Sequence, residues 1–462
     1  MRSEGGGLDR RALLQRGSAL GASVFAGGVW AALFERASAA GALQETATSA
    51  PGPYGPLFPT PELGTGLPLL HLPQGFTYRA LSFNGDTLTS GAPLPLRPDG
   101  MACFARSGGV ARLVRNHEVL SDTGSFAPPN ATYDPAAGGG TTVLDFDVAS
   151  GRPLRSFANL GGTLVNCAGG PTPWGTWLSG EETVFGLGNG ALQKPHGYVF
   201  ESPPNGLSNA IALVDMGRFK HEAAAVDTAT GAVYLTEDDT PAGFYRFTPR
   251  MRGVLAAGGV LEMLAVRGVP NANLALGQSV GASWDVDWVR IDLPDTPDPI
   301  GAGRTVQQGF AKGAASFLRL EGIWFDGGRL FFASTNGGAA GQGQIFEYVP
   351  ATRRLRLVFE SPGASVLSNP DNLTVSPRGG IAVCEDGSGV TRLHGLSTDG
   401  RLFPFVQSAI VLAGQVNGLT GDFSESEFCG VCYDPTGRWM FFNSQEPGIT
   451  FAVTGPWGQG AL

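Results

Sequence analysis

Acidic residues recur in this chain at the two ends of paired apolar runs, and this pattern could support metal chemistry. Glu222 opens one such unit, which turns at Gly231 and ends at Glu237-Asp238-Asp239; Glu321 opens another, ending at Thr335-Asn336. Asp371-Asn372 leads to Glu385-Asp386, and Glu427 leads through Asp434-Pro435-Thr436-Gly437 to Asn443 and Gln445. Two looser copies come earlier. Asp99-Gly100 leads to Asn116-His117-Glu118, and Asn166 leads through Trp174-Gly175-Thr176-Trp177 to Glu181-Glu182. Carboxylates held close together repel unless cations neutralise them. An oxygen-rich set of this kind suits Ca2+ best, with Mg2+ or Fe3+ as further options. The metal-ligand candidates are therefore Glu118, Glu181, Glu182, Glu222, Asp238, Glu321, Asp371, Glu385, Asp386 and Glu427. The competing reading is that acids cap turns, as Asp and Asn commonly do. Asp227, Asp326 and Asp434 sit in turns and are assigned to that role.

Such a set can converge only if a repeated element carries it. Six copies begin at positions 99, 166, 222, 321, 371 and 427, each reading as a β-hairpin with a turn between its two runs. Alternating segments between copies, such as Gly243-Phe244-Tyr245-Arg246-Phe247 and Gln344-Ile345-Phe346-Glu347-Tyr348, supply outer strands. The expected fold is all-β, a six-bladed β-propeller over residues 61–462 whose innermost strands line a channel. The long interval between the third and fourth copies holds Trp284-Asp285-Val286-Asp287-Trp288 and reads as an insertion or lid at about 252–315. Seventy glycines and 33 prolines, spread between the apolar runs, agree with many turns joining many short strands.

A net charge of −9 argues against a nucleic-acid partner, which needs a basic face. Arg10-Arg11, the apolar stretch from Gly17 to Phe34 and the small residues Ala37-Ser38-Ala39 read as a twin-arginine-type signal peptide over 1–39. It implies the twin-arginine export machinery as a partner and a periplasmic or secreted location. A loose leader follows over 40–60. The alternative for the apolar stretch is a membrane anchor, but glycines interrupt it and it falls short of the roughly 20 residues of a stable span. The five cysteines, including Cys429-x-x-Cys432, read as buried strand residues. No Gly-x-Ser-x-Gly elbow appears around the expected channel, and the histidines show no regular metal spacing.

At these same residues the chain resembles the PhoX-type alkaline phosphatases, exported propeller phosphatases. The matching stretches are Arg115-Asn116-His117-Glu118, Asn166-Cys167-Ala168-Gly169-Gly170, Thr172-Pro173-Trp174-Gly175-Thr176-Trp177 with Glu181-Glu182, and Gly217-Arg218-Phe219-Lys220-His221-Glu222. Further on come Arg319-Leu320-Glu321-Gly322, Asp371-Asn372-Leu373, Glu385-Asp386-Gly387 and the tail from Glu427 to Gly455-Pro456-Trp457. The resemblance implies a mixed iron and calcium cluster in the channel that hydrolyses phosphate esters. Glu222 and Glu321 match iron-ligating positions, and Glu118, Glu182, Glu385 and Glu427 look like the remaining metal ligands. Arg319 matches a phosphate-binding arginine. Residues two apart on a strand share a face, so Arg319 and Glu321 would both point at the channel; a structural ion pair with a neighbouring acid is the other reading of Arg319. One departure stands out: Gly180 occupies the place of a family cysteine that ligates iron, and Cys167 is not at the matching position. That puts Fe3+ in doubt and favours several Ca2+ ions.

The expected function is a metal-dependent phosphatase for phosphate monoesters, with Arg319, Glu222 and Glu321 as the catalytic set and a small phosphate ester as substrate. The alternatives are another calcium-dependent propeller hydrolase, a phosphodiesterase or lactonase, and a non-catalytic calcium-stabilised binding propeller.

Overall fold

The computed structural model describes residues 52–105, 108–398 and 400–462 of the 462-residue chain; the expected signal peptide lies outside them. The described chain is all-β and propeller-like, with one short α-helix, α1 (Thr305–Phe310), besides 3-10 turns. Among the described residues no helix is long and apolar enough to cross a membrane.

Six strands form the heart of the molecule: β4 (Pro98–Ala105), β8 (Asn166–Pro171), β11 (His221–Val226), β16 (Leu320–Asp326), β20 (Pro370–Val375) and β26 (Phe428–Tyr433). Each opens within one residue of an acidic repeat start identified in the sequence. β4 packs on β8, β8 on β11, β11 on β16, β16 on β20, β20 on β26, and β26 returns to β4. Each also opens an antiparallel hairpin, with β5 (Val110–His117), β9 (Trp177–Glu181), β12 (Val233–Glu237), β17 (Arg329–Ser334), β21 (Ile381–Glu385) and β27 (Met440–Ser444) as second strands.

The sheets built outward from this ring are unequal, and six separate four-stranded blades are not what hydrogen bonding delineates. The β4 hairpin extends through β6 (Gly139–Asp147) and β7 (Arg152–Thr163), whereas the β8 hairpin adds only β10 (Val199–Ser202). The β11 hairpin adds β13 (Phe244–Pro249) and β14 (Gly259–Val266); the β16 hairpin adds β18 (Gln344–Val349) and β19 (Arg354–Glu360). β15 (Ser283–Arg290) pairs with both β14 and β19 and joins these two into one nine-stranded sheet. Two stretches of the segment expected as an insertion or lid, β14 and β15, therefore go into sheet. Trp284 and Trp288 pack on the core between the two halves, where Phe244 stacks on Phe332 with ring centroids 4.4 Å apart.

The two chain ends close the ring. β3 (Thr77–Ser82) pairs with the last strand, β28 (Ile449–Thr454), so one sheet is made from both ends of the described chain. β1 (Leu57–Thr60) and β2 (Leu70–Pro73) extend the sheet of β20, β21, β22 (Arg392–Leu396) and β23 (Leu402–Ser408). The described part of the expected loose leader is thus structured. Tyr54 packs edge-on against Phe76 and Phe405, and its hydroxyl donates to the Leu462 carbonyl at 3.0 Å.

Small residues let the inner strands approach. A Cβ on Gly100 would overlap the Ala168 backbone, one on Gly170 the Ala224 carbonyl, one on Gly322 the Asn372 backbone, and one on Gly430 the Asp99 carbonyl. Gly170→Ala is therefore expected to lower the thermal midpoint by a free energy at or above the ~3 kcal/mol upper range of core overpacking. Gly206→Ala, where a Cβ meets nothing, is the control that should leave the midpoint unchanged. Equal midpoints for the two variants in calorimetry would overturn this packing account.

Candidate metal centre

Every one of the six first hairpins carries a register shift at the same place. The shifts fall between Pro98 and Met101, Asn166 and Gly169, His221 and Ala224, Leu320 and Ile323, Pro370 and Leu373, and Cys429 and Cys432. A bulge breaks the strict alternation of a strand and re-aims the side chain it contains. The residue just inside each shift is Asp99, Cys167, Glu222, Glu321, Asp371 and Gly430 in turn. The other end of each hairpin supplies the residue just past its second strand: Glu118, Glu182, Asp238, Thr335, Asp386 and Gln445.

These two rows, together with Glu427 and Cys429 at the entry of β26, supply four overlapping donor groups, each with three atoms within 4.8 Å of one another. They are Glu427, Asp99 and Cys429; Asp99, Glu118 and Cys167; Cys167, Glu182 and Glu222; and Glu222, Asp238 and Glu321. Asp99, Cys167 and Glu222 are each shared by two groups, so the donors form one continuous arc.

Glu222 has the most demanding environment. It is fully buried, and neither carboxylate oxygen has a hydrogen-bond partner. Burial pushes its pKa well above the ordinary value, and the charges of Glu321, Glu182, Asp371 and Asp238 push it further. The Cys167 thiol is likewise raised well above its ordinary range by burial, then by Asp99, Glu222, Glu182 and Glu118. An unsatisfied buried carboxylate among other carboxylates, with a thiol beside it, fits multivalent cations. Elsewhere protein groups meet the acids. The Gln445 amide donates to Asp99 and Glu427, each at 2.9 Å, and also to Glu118.

Arg319 sits at a strained backbone position, φ 44°, and its guanidinium forks onto Asp238 at 2.7 and 2.9 Å. It also reaches Glu321 at 2.6 Å, so Arg319 and Glu321 do meet, and the ion-pair reading of Arg319 describes this state. Lys220, partly buried, stands nearby: the Asp238 amide donates to its carbonyl at 3.2 Å. Burial opposes the charge of Lys220, but Asp238, Glu182 and Asp239 outweigh burial and the repulsion of Arg319, holding its pKa above the ordinary value.

Four candidates, Glu181, Asp371, Glu385 and Asp386, lie outside the arc. Glu181 accepts the backbone amides of Leu164, Gly197 and Tyr198, and a 2.6 Å contact with His196 Nδ1, all in full burial. Glu385 accepts from Ser368 and Arg392 amides, from the Arg392 guanidinium, and lies 3.0 Å from His394 Nε2. Adjacent strand residues point to opposite sides, so a pair such as Glu181-Glu182 cannot send both side chains to the channel. The last residue of the second strand ties down the next loop, as Glu237 also does with Gly243 and Tyr245; the residue after it faces the acids. Asp386 holds that second position yet belongs to none of the four groups, and Asp371 acts on Glu222 through charge without joining one. The sequence reading also passed over Asp99, Cys167, Cys429 and Gln445; aligning each copy on the residue just inside its shift finds the first two. Position 180 holds no space for a thiol, since a Cβ there lies 2.8 Å from the His221 carbonyl oxygen and 3.0 Å from its Cβ. The thiol that reaches the acids is Cys167.

A carboxyl whose folded pKa is raised gives a stability that is highest below its unfolded value of about 4.3 and is lost as pH rises toward the folded value. The chelated protein is accordingly expected to lose thermal stability from pH 5 to 8, and Glu222→Gln to flatten that loss while weakening calcium binding. A chelated protein with no such pH dependence would overturn the assignment. Glu181→Ala is expected to cost about 3–5 kcal/mol by stripping a buried partner from His196, with the metal content unchanged. Burial lowers the His196 pKa, but Glu181 and Asp134 raise it overall. The cost should therefore be full below about pH 6.5 and shrink as pH rises through the raised value. Loss of bound metal in Glu181→Ala would place Glu181 among the ligands after all.

The solved structure of Pseudomonas fluorescens PhoX, in complex with vanadate as a transition state analogue, superposes with a TM-score of 0.64 at 17% identity, covering 85% of this chain and 97% of that one. A Bacteroides thetaiotaomicron protein of unknown function follows at a TM-score of 0.42 and 10% identity, over 82% of this chain and 76% of that one. No curated protein matches the sequence. The family described as alkaline phosphatase PhoX matches residues 52–448, so this chain belongs to the PhoX alkaline phosphatase family.

Proposed function

We propose that the chain is an exported, metal-dependent phosphatase that hydrolyses phosphate monoesters at a cluster of calcium and iron ions in the channel of a six-bladed propeller. The six inner strands support the blade count if β15 is taken as a bridge between two blades. The observation that carries the chemistry is Glu222, buried with both oxygens unsatisfied among Glu182, Asp238 and Glu321, with Cys167 within reach. Cys167 and Glu222, which meet with Glu182, and Glu321, which meets Glu222 through the adjoining group, suit iron as a thiol and carboxylates, while Asp99, shared between the groups of Glu118 and of Glu427, offers oxygen donors for calcium. Bound cations of this kind polarise phosphoryl oxygens and lower the pKa of water.

The chain's own groups do the rest. Arg319 presents a planar fork suited to the equatorial oxygens of a phosphoryl group, and Asp238 orients that fork by its two-point contact. The Gln445 amide spaces Asp99, Glu118 and Glu427 around one point. Twin-arginine export into the periplasm or medium belongs to the same reading, supported by the Arg10-Arg11 pair, the apolar stretch after it and Ala37-Ser38-Ala39.

Hydrolysis of p-nitrophenyl phosphate by the mature protein, chelated and then given Ca2+, Fe3+ or both, tests this reading. Chelation is expected to abolish turnover, and both metals together to restore it. Glu222→Gln should cut kcat by more than the roughly 10–100-fold typical of losing a group behind a metal ligand. Cys167→Ala should lose iron and keep calcium. A folded, metal-loaded protein that hydrolyses no phosphate monoester would sink the proposal.

A further inference from the structure

Where neighbouring units of the ring meet, large side chains usually fill the gap. Phe146 packs on Trp439 and Phe441, with ring centroids 5.0 and 5.1 Å away, and Phe244 stacks on Phe332 at 4.4 Å. The boundary between the β16 hairpin with β18 and β19 and the sheet of β20 to β23 differs. Beyond a buried cluster of Ile345, Phe359, Leu373 and Val383, the two layers part around a cavity of about 470 Å³. Protein interiors hold few voids larger than a water molecule, so a gap of this size is not a packing fault. It lies away from the metal centre. Asp326 and Arg329, at the turn of the β16 hairpin, line it, whereas Glu321 stands near the start of that strand, roughly 16 Å away at 3.3 Å per residue.

Strand alternation explains what faces the cavity. Arg329 and Phe331 share one face of β17; Glu347 of β18 lies across from Phe331, and Arg356 of β19 across from Glu347. Glu347 is buried, 2.8 Å from Arg329 Nη1 and 3.0 Å from Arg356 Nη2. The opposite wall is apolar, with Val375, Ile381 and Leu396. Asp326 is exposed at the outer edge and, among the described residues, pairs with no cation. Within the cleft, two guanidiniums therefore share one carboxylate and confront an apolar wall. A guanidinium carries five N–H donors. Glu347 takes one from Arg329, whose side chain is 56% exposed, and among the described residues the others meet no protein acceptor.

We propose that this cleft is a second ligand site, which binds an apolar organic anion. Its hydrocarbon body lies on Phe331, Val375, Ile381 and Leu396, and its carboxylate or sulfonate accepts from Arg329. The cavity has the size of small-molecule pockets, about 300–1,000 Å³, and their make-up of apolar walls with a few placed polar groups. Glu347 holds both guanidiniums in place before the ligand arrives, which lowers the ordering cost of binding. A cationic ligand would meet two like charges, and a neutral one would leave the donors of Arg329 without an acceptor.

Fluorescence titration of anilinonaphthalene sulfonate into the metal-loaded mature protein, with displacement by decanoate or decanol, tests the site. Thermal midpoints are measured on every variant. One saturable site is expected in the wild type, with decanoate displacing the dye at least about tenfold more strongly than decanol, the difference that one charge-assisted hydrogen bond makes. Arg329→Met should weaken dye and decanoate binding by a similar factor, and Arg329→Lys should recover part of it. Val375→Phe fills the cavity and leaves all three charged groups in place, so it should abolish binding at an unchanged midpoint. Binding should survive chelation and excess inorganic phosphate. A wild type that binds no dye, affinity unchanged in Val375→Phe or Arg329→Met, or equal displacement by decanoate and decanol overturns the inference. Displacement by phosphate also overturns it, because the dye would then sit at the metal centre. Dye taken up only by variants of lowered midpoint reports exposed core and counts against the site as well.

Discussion

The rest of the molecule depends on one unfavourable arrangement, a fully buried glutamate with no hydrogen-bond partner and four other carboxylates acting on it. Burying an ionised carboxylate without compensation costs far more than a domain's net stability can absorb. The Glu222 site can persist in one of two ways, by holding a proton or by holding a cation. A proton relieves one charge at a time, whereas a multivalent cation relieves several and satisfies their lone pairs together. The fold therefore has to be rigid enough to keep the acids together when they would otherwise part.

That rigidity comes from closure and from small residues. Each inner strand is held between two others, so no single strand can relax outward without opening the ring. Gly100, Gly170, Gly322 and Gly430 let neighbouring backbones touch at points where any side chain would collide. The ring is sealed by pairing β3 with β28, which makes the ends of the chain hydrogen-bonded neighbours. Closure of this kind removes free sheet edges as well as fixing the channel. The six bulges then convert a regular scaffold into a directed one, because each turns the residue just inside it away from the ordinary alternation.

The acids divide by task. Glu181, Glu237 and Glu385 are spent on loop amides and neighbouring side chains. Glu222, Glu182, Asp238, Glu321 and the acids around Gln445 are arranged around one another. Local sequence does not separate these two classes, since Glu181-Glu182 and Glu385-Asp386 look alike as pairs. Only the side to which each residue points, and the loop that passes beside it, tells them apart.

Hairpin repetition was legible because it is a local property: apolar alternation, turn residues and acidic ends recur within each unit, and the repeat starts fall within one residue of the inner strands. Membership of Glu222, Glu321, Glu182 and Glu118 in an acidic centre was legible for the same reason. The place of Cys167 among the acids was not, because the bulge shifts the inward position one residue past Asn166 and the sequence carries no mark of that shift. The space denied at Gly180 by His221 is equally invisible, since it is set by a strand from the next unit. Nor could spacing show that β15 bridges two sheets, a pairing between residues far apart in the chain. By itself the sequence determined which side chains are available and how often they recur, through periodicities of a few residues. Tertiary structure alone decided which of them meet, because that depends on bulges, strand order and the close approach of backbones from different units.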